Sequence, residues 1–441
     1  MKTPICDFLK GYAEGDSVRL HMPGHKGRTD IEKLDITEIF GADSLYSASG
    51  IIAESESYAG ELFGARTFYS AEGSSLSIRA MLYLTTLYAK DTGRRPLILA
   101  GRNAHKTFIS VAALLDFDVE WLPGTRKSYL SGKVDLSYLE KRLAKGELPV
   151  AVYITSPDYL GFMENVAEIS KICHRHGVLL IVDNAHGSYL KFLSPSRHPI
   201  DLGADLCCDS AHKTLPAITG AAYMHVSKNA PTMLTERARE TLAMFGSTSP
   251  SYLILSSLDK ANEYISDGFS TKLSIFLDRI DALKGTILSH GYTLIGDEPM
   301  KLTLETKPYG YTGEELASLL FERGIVCDFA DPDYVVLMPT PENSECDLKR
   351  LSDALKEIPR RAPILSVLPT FSLPTVKTSV REAMLSPAVR VPLCESLGRV
   401  LATAGVSCPP AVPILVPGEA IDESAISAFK YYGIDSLFVV K

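Results

Sequence analysis

Short apolar runs alternate with helical patterns from about residue 60 to residue 226, and this alternation restricts the chain to an α/β fold. Five runs have the length and continuous apolar character of strands buried on both faces: 96–101, 150–156, 178–185, 205–210 and 221–226. Helical periodicity fills stretches between them, at 75–89, 106–117 and 167–177. Strands joined by crossover helices pair in parallel, so we predict a doubly wound, mostly parallel sheet.

The rest of the chain has a different pattern. Residues 251–291 are mostly helical, and from residue 292 shorter strands and helices indicate a smaller α+β unit. The strands are predicted at 301–306 and 333–340, and the helices at 314–324 and 346–358. We therefore predict four parts: an N-terminal segment (1–50), a large α/β domain (51–290), a small α+β domain (291–365) and a C-terminal domain (366–441).

The charge and the cysteines exclude several classes of protein. A formal net charge of −8 and a pI near 5.8 argue against nucleic acid or an anionic membrane as the main partner. No stretch reaches the roughly 18 apolar residues of a membrane span, and the first 15 residues lack the apolar run of a signal peptide. The eight cysteines are scattered without a C-x-x-C pair, which favours reduced thiols and a cytoplasmic protein.

Residues able to carry chemistry follow several of the predicted strands or begin a helix. Because a parallel sheet binds its ligand at the carboxyl ends of its strands, we expect these residues to lie along one rim. They comprise an acid, three histidines, a lysine and a Gly-Ser-Ser turn: Asp183, His105, His186, His212, Lys213 and Gly73-Ser74-Ser75.

This set of residues suits pyridoxal phosphate. The dinucleotide fingerprint G-x-G-x-x-G, the P-loop and H-E-x-x-H are absent from the sequence, and we expect no metal. Lys213 would bind the cofactor covalently, and Asp183 would keep the pyridine nitrogen protonated so that the ring accepts electrons. The amides of the Gly-Ser-Ser turn would hold the phosphate.

Each of these features also has an ordinary structural explanation. Lys213 taken alone would be a surface charge, Asp183 a turn cap, and the histidines hydrogen-bonded structural residues. Gly-Ser-Ser before a helix is most often a simple N-cap. Their joint placement on one rim favours the catalytic interpretation.

Several longer motifs point to a family. HMPGHKG (21–27), DITEI (35–39), SAHKT (210–214), STSPSY (247–252) and PGE (417–419) resemble the Orn/Lys/Arg decarboxylase family of pyridoxal-phosphate enzymes, and they occur in the same order. The likeness runs from about residue 5 to the C-terminus. It implies the aspartate-aminotransferase-like fold (fold type I), a cofactor-binding large domain, a C-terminal domain of decarboxylase type and an N-terminal segment near the active site.

The resemblance assigns roles around the cofactor ring. It implies that Lys213 binds the cofactor and that Asp183 meets the pyridine nitrogen. His105 would stack on the outer face of the ring and Ala185 would pack on the inner face, with His186 also among the cofactor-binding residues. His105, Asp183, Lys213 and His212 would be the catalytic group.

The resemblance also implies the residues around the phosphate and a shared active site. Four residues would hold the phosphate or orient the lysine: Ser74, Ser75, Ser210 and His212. Thr248 and Ser249 would reach the partner subunit's phosphate in a homodimer with shared active sites, and higher homo-oligomers stay open. The chain resembles the short form of the family, which lacks an extra N-terminal domain.

The implied reaction is decarboxylation of a basic amino acid to its amine, within polyamine biosynthesis. Arginine is the favoured substrate, with lysine or ornithine next. Lys213 or His212 would return the proton to the α-carbon, and Glu419 would meet the distal cation of the substrate.

Four positions depart from the usual family pattern. Asn184 stands where Glu or Ser is common, Asp209 where Gln often precedes Ser-x-His-Lys, Gly220 where Gln is common, and Leu160 where an acidic residue is frequent. None of these changes removes a core catalytic group, but together they leave the substrate open.

Two other functions remain compatible with the sequence. An aminotransferase or another lyase of the same fold would keep the cofactor and bind the substrate's α-carboxylate with an arginine, for which Arg381 and Arg399 are available. A non-catalytic binding protein on the same scaffold is a remoter alternative, because Asp183, His105 and Lys213 are all intact.

Overall fold

The structure is a computed structural model of the single chain. It describes residues 1–124, 130–366, 369, 374–404, 407–408 and 412–441. Two compact units can be distinguished by their internal contacts. The first unit comprises Met1–Pro96, Leu148–Tyr153 and Val166–Leu273, and the second comprises Leu97–Glu147, Ile154–Asn165 and Ser274–Lys441.

The helices are spread over both units. In chain order they are α1 (Pro4–Glu14), α2 (Asp30–Leu34), α3 (Ile51–Phe63), α4 (Gly73–Asp91), α5 (Lys106–Leu115), α6 (Leu136–Leu143), α7 (Val166–Arg175), α8 (Ala211–Thr214), α9 (Thr232–Glu236), α10 (Ala238–Phe245), α11 (Tyr252–Ser266), α12 (Phe269–Ser289), α13 (Gly313–Glu322), α14 (Glu345–Glu357), α15 (Val380–Leu385) and α16 (Glu423–Tyr431).

Among the described residues, the strands form one large sheet and three smaller ones. In chain order they are β1 (Arg66–Ser70), β2 (Leu97–Gly101), β3 (Asp118–Leu122), β4 (Ala151–Thr155), β5 (Leu179–Asp183), β6 (Leu206–Asp209), β7 (Ala222–Val226), β8 (Thr293–Ile295), β9 (Leu302–Glu305), β10 (Phe329–Ala330), β11 (Tyr334–Leu337), β12 (Ala388–Pro392), β13 (Ser407–Cys408), β14 (Val412–Pro413) and β15 (Ser436–Val440).

The large sheet has seven strands in the order β1-β7-β6-β5-β4-β2-β3, which confirms the predicted α/β class. The five predicted runs are β2, β4, β5, β6 and β7, with ends that agree within two residues. In the first unit β5 and β6 are parallel, and their register places Asp183 opposite Cys208. The carboxyl ends of these two strands therefore lie side by side.

Strand β7 is antiparallel to β6, and β1 is antiparallel to β7. The chain between Asp209 and Ala222 contains only the four-residue helix α8. The twelve residues of this connection are at the lower limit for a parallel crossover, which usually contains a full helix, so a connection with only four helical residues suits an antiparallel pairing.

Strands β1 and β3 were missed by the sequence pattern. β3 has side chains that are mostly half-buried, so it lacks the continuous apolar run of its neighbours. β1 begins with the exposed Arg66 and includes polar residues at both ends. Such strands carry little of the apolar signal on which the prediction depended.

Phe63 lies in the core of the first unit. Its ring is fully buried and contacts the rings of Tyr223 and His225, with centroid separations of 5.2 and 4.5 Å. Helix α3, which carries Phe63, thereby packs beside strand β7.

We expect Phe63→Ala to lower the free energy of unfolding by about 3–5 kcal/mol, because it removes a large buried ring and leaves a cavity. Chemical denaturation of the purified variant measures this change. The control is Phe321→Ala, whose side chain is exposed on α13 and should alter stability by no more than ~0.5 kcal/mol. Equal effects of the two substitutions would contradict the assignment of Phe63 to the core.

The second unit contains a parallel pair, β2 and β3, and a four-stranded antiparallel sheet in the order β10-β11-β9-β8. A cluster of buried apolar side chains joins this sheet to the last helix and strand of the chain, and it includes Phe329, Val336, Phe429, Leu437 and Val439. The helices and strands predicted after residue 292 are present as α13, α14, β9 and β11. The domain boundaries at residues 50, 290 and 365 stay predictions.

Within the described ranges, no helix is both long enough and apolar enough to cross a bilayer.

Candidate active site

Lys213 and His186 are in direct contact in the first unit. Lys213 lies in α8, immediately after β6, and His186 lies in the turn after β5. The Lys213 Nζ is 2.9 Å from the His186 Nε2, and since the amine donates, this ring nitrogen accepts. The parallel pairing of β5 and β6 brings the two segments together, as expected for residues that follow the carboxyl ends of neighbouring parallel strands.

Asp183 is a buried carboxylate at the end of β5. Its oxygens accept from the Tyr153 hydroxyl at 3.2 Å, from the Ala185 amide at 3.2 Å and from the Cys208 thiol at 3.6 Å. Burial and the nearby Asp183 charge raise the pKa of Tyr153 and of Cys208 well above their ordinary values, so both donors stay neutral. Within the described residues, the carboxylate is therefore held by neutral donors and is suited to meet a cationic N–H.

His212 is held in one tautomer. Its Nδ1 donates to the Ala221 carbonyl at 2.9 Å, which leaves the Nε2 as the acceptor nitrogen. Burial lowers the pKa of His212 below its ordinary value, and the neighbouring Lys213 acts in the same direction. Ser210 is buried just before α8, and its carbonyl accepts from the Lys213 amide at 3.1 Å.

Helix α4 begins with a turn suited to an anion. Gly73, its first residue, has a φ of +70°, a conformation that favours glycine, and donates its amide to the Gly220 carbonyl at 2.7 Å. In the part of the chain that the structure describes, no side chain caps this helix, and Ser74 and Ser75 in its first turn are half-buried. The uncapped N-terminus of a 19-residue helix attracts phosphate through its amides and its dipole.

The loop that contains Thr248 and Ser249 starts beside this helix. The Ser247 amide donates to the Glu72 carboxylate at 2.6 Å, and Glu72 immediately precedes α4. The side chains of Thr248 and Ser249 are exposed. Their predicted contact with a partner subunit stays a prediction.

His105 lies in the second unit, where it caps α5. Its Nδ1 accepts from the Thr107 amide at 3.2 Å, so the Nε2 of a neutral ring carries the proton. The predicted stacking of His105 on the cofactor ring stays a prediction.

Glu419, also in the second unit, already has a cation as partner. It is buried, and its carboxylate is 2.7 Å from the Arg102 guanidinium and accepts from the Val416 amide at 2.6 Å. Burial raises the pKa of Glu419, while Arg102 opposes this shift. The predicted contact with the distal cation of the substrate stays a prediction.

We expect Glu419→Gln to lower the free energy of unfolding by about 3–5 kcal/mol, because it removes the buried negative charge that pairs with the Arg102 guanidinium. Chemical denaturation measures this loss. The control is Glu168→Gln, which changes the exposed ion pair between Glu168 and Lys171 and should lower the free energy of unfolding by no more than ~1 kcal/mol. Steady-state kinetics test whether Glu419 also contacts the substrate. A rise in KM for the substrate would support the predicted substrate contact, and an unchanged KM would overturn it.

Tyr153 and Cys208 were not identified from the sequence as site residues. Both lie inside apolar runs and look like ordinary core residues. The signal that locates Cys208 is the register of β5 and β6, which places it opposite Asp183. Strand register is set by the packed sheet, so composition and periodicity alone do not reveal it.

The residues of the first unit fit pyridoxal phosphate. Lys213 has an amine that can react with the aldehyde of the cofactor. Asp183 has a buried carboxylate that can meet the ring nitrogen, and no described cation pairs with it. The uncapped first turn of α4 offers amides to its phosphate.

Comparison with known proteins identifies the family. The major domain of the Orn/Lys/Arg decarboxylase family matches residues 3–295, and the C-terminal domain of that family matches residues 368–436. The first of these matches alone covers more than half of the chain.

Similar proteins match over nearly the whole chain. The YaaO protein of Bacillus subtilis is 29% identical, covering 97% of this chain and 93% of that protein. A protein named arginine decarboxylase from Halalkalibacterium halodurans is 27% identical, covering 97% and 92%. The constitutive lysine decarboxylase of E. coli shares the fold with a TM-score of 0.81 at 19% identity, covering 100% of this chain and 82% of that one.

The fold is therefore the aspartate-aminotransferase-like fold type I of pyridoxal-phosphate enzymes, as the resemblance predicted. The chain belongs to the Orn/Lys/Arg decarboxylase family and is a carboxy-lyase that acts on a basic amino acid.

Proposed function

We propose that the chain binds pyridoxal phosphate through Lys213 and removes the α-carboxylate of arginine, giving the corresponding amine and CO₂. The observation that carries this proposal is the contact of Lys213 with His186, which lies in the turn directly after the buried Asp183. A lysine, a buried acid and an uncapped helix start within one compact unit match what this cofactor needs.

We assign the cofactor contacts as follows. Asp183 would hold the ring nitrogen, and the first turn of α4 with Ser74 and Ser75 would hold the phosphate. Ala185 and His105 would lie on the two faces of the ring. When bound, the cofactor draws electrons away from the α-carbon of the substrate, which allows the bond to the carboxylate to break.

Lys213 is the better candidate for returning a proton to the α-carbon. Its Nζ carries protons and donates one toward His186. The Nε2 of His212 is unprotonated in the neutral ring, because the Nδ1 holds the proton and burial lowers the pKa of this histidine. We therefore assign the proton transfer to the Lys213 Nζ and an orienting role to His212.

Arginine is the substrate that the similar proteins favour. Proteins named arginine decarboxylase are 27% identical over 97% of this chain, whereas the lysine decarboxylases, at 17–19% identity, are similar in fold alone. The amine product would enter polyamine biosynthesis, and the expected compartment is the cytoplasm.

A second copy of the chain is the partner that the surface favours. The N-terminal segment exposes large apolar side chains, among them Val18, Leu20, Met22 and Phe40. Exposed apolar groups clustered in one segment are typical of a protein interface. They support the homodimer.

The experiment that tests the proposal supplies purified protein with the cofactor and then with arginine, lysine or ornithine. CO₂ and amine are measured in each reaction, together with the corresponding keto acid. Equal amounts of CO₂ and amine, with the highest kcat/KM for arginine, are expected. Keto acid without CO₂ would contradict the decarboxylation, and a higher kcat/KM for lysine or ornithine would overturn the choice of substrate.

A further inference from the structure

Two of the residues that depart from the family pattern contact each other directly. The Asn184 side-chain amide donates to the Asp209 carboxylate at 2.7 Å, and both side chains are fully buried. Asn184 follows Asp183 at the end of β5, and Asp209 is the last residue of β6. The two departures therefore form one contact between neighbouring strands.

The other Asp209 oxygen accepts from two buried histidines. His198 Nε2 lies 3.0 Å from it and His225 Nε2 lies 3.3 Å from it. The Nδ1 of His225 is 2.9 Å from the Thr67 hydroxyl, and the Nδ1 of His198 accepts from the Ile200 amide at 3.4 Å. The nitrogen of each ring that faces the Asp209 carboxylate therefore carries a proton.

Asp209 is therefore a buried anion that receives three N–H groups. Burial opposes its ionisation, but the contacts with His198 and His225 hold the pKa of Asp209 below its ordinary value. Hydrogen bonds to a buried charge are strong and directional, so they hold the Asn184 amide in a defined position.

The turn that follows is built closely around Asn184. The Asn184 backbone amide donates to the Cys208 carbonyl at 3.0 Å, and its own carbonyl accepts from the Gly187 amide at 2.8 Å. A Cβ at Gly187 would lie 2.0 Å from the Asn184 side-chain oxygen, so the backbone passes directly over this side chain. Displacement of the Asn184 side chain would displace the turn.

We propose that Asp209 is a positioning residue, which acts through Asn184 to hold Asp183, at the end of β5, and the following turn with His186 in place for the cofactor. The proposal rests on the proposed function, because Asp183 directly precedes that turn and His186, the partner of Lys213, lies in it. It assigns a role to a carboxylate that touches neither the cofactor nor the substrate.

The test measures cofactor binding to the apoprotein. Purified Asp209→Ala is titrated with pyridoxal phosphate, and the visible absorbance of the bound cofactor gives Kd. We expect Kd to rise by about 10- to 100-fold and kcat to fall by a similar factor, with a smaller change in KM, because a displacement near 1 Å can cost ~100-fold. The melting temperature of the apoprotein is recorded in parallel.

Two further variants separate positioning from general stability. Asn184→Asp combined with Asp209→Asn keeps a buried amide–carboxylate pair with its direction reversed, and it should bring Kd back close to the wild-type value and clearly below that of Asp209→Ala. Asp205→Ala removes the acid just before β6, which pairs with His174 at 2.9 Å. This control should lower the melting temperature and leave the cofactor Kd unchanged.

Wild-type Kd and kcat in Asp209→Ala, with only the melting temperature lowered, would overturn the positioning role. If Asp209→Ala does not fold, the isosteric Asp209→Asn takes its place, and wild-type Kd and kcat in that variant would overturn it equally. Failure of the proposed function would look different, because the wild-type apoprotein would then show no bound cofactor at all.

Discussion

Lys213→Ala should lose covalent cofactor binding, and its turnover should fall by at least ~10³-fold. The physical reason is that no other side chain in α8 or in the turn after β5 offers an amine at this position. Catalytic residues that act together also lose most of their combined effect when one of them is removed. The Lys213 Nζ is also the proposed source of the proton for the α-carbon. The measurement is kcat for CO₂ release, together with the visible spectrum of the bound cofactor.

Two variants make this expectation specific. Lys213→Arg keeps a cation near His186 but cannot form the same covalent bond, so it should be as inactive as Lys213→Ala. Lys171→Ala removes an exposed lysine of the same unit, which is paired with Glu168, and should leave turnover unchanged. Turnover near the wild-type value in Lys213→Arg would contradict the covalent role of Lys213.

Asp183→Asn should lower turnover by about 10²–10³-fold while leaving the apoprotein at least as stable as wild type. The described residues give this carboxylate neutral donors and no cationic partner, so the substitution breaks no ion pair. The charge of the carboxylate is what would keep the ring nitrogen of the cofactor protonated. Loss of activity without loss of stability therefore marks a residue kept for function.

The two quantities are measured by CO₂ release with the cofactor present and by thermal unfolding of the apoprotein. Asp259→Asn is the matched control, because Asp259 is also buried in the first unit and accepts from the Ile5 and Cys6 amides at 3.0 and 3.1 Å. It should leave turnover unchanged. A large loss of apoprotein stability in Asp183→Asn, with turnover retained, would show that Asp183 is a structural residue.

Much of the large domain could be predicted from the sequence because its strands are buried on both faces. Runs such as 178–185 and 205–210 are continuously apolar and end in polar residues, so both the strands and their carboxyl ends are visible. The contact between Lys213 and His186 follows from those ends being adjacent in a parallel pair.

The contacts that depend on register and pairing could not be predicted. Cys208 faces Asp183 and Asn184 meets Asp209 only because β5 and β6 pair in one particular register. The ion pair between Glu419 and Arg102 joins residues 317 positions apart, so local pattern carries no information about it. The reversed direction of β7 goes with a connection from β6 that lacks a full crossover helix, which the apolar pattern of the strands does not show.

The central claim is that Lys213 holds the cofactor in this chain. Purified protein incubated with pyridoxal phosphate is reduced with borohydride, digested, and its peptides are mapped by mass spectrometry. We predict one modified lysine, Lys213, and loss of the modification in Lys213→Ala. Modification of a different lysine, or an unmodified wild-type protein, would contradict the account.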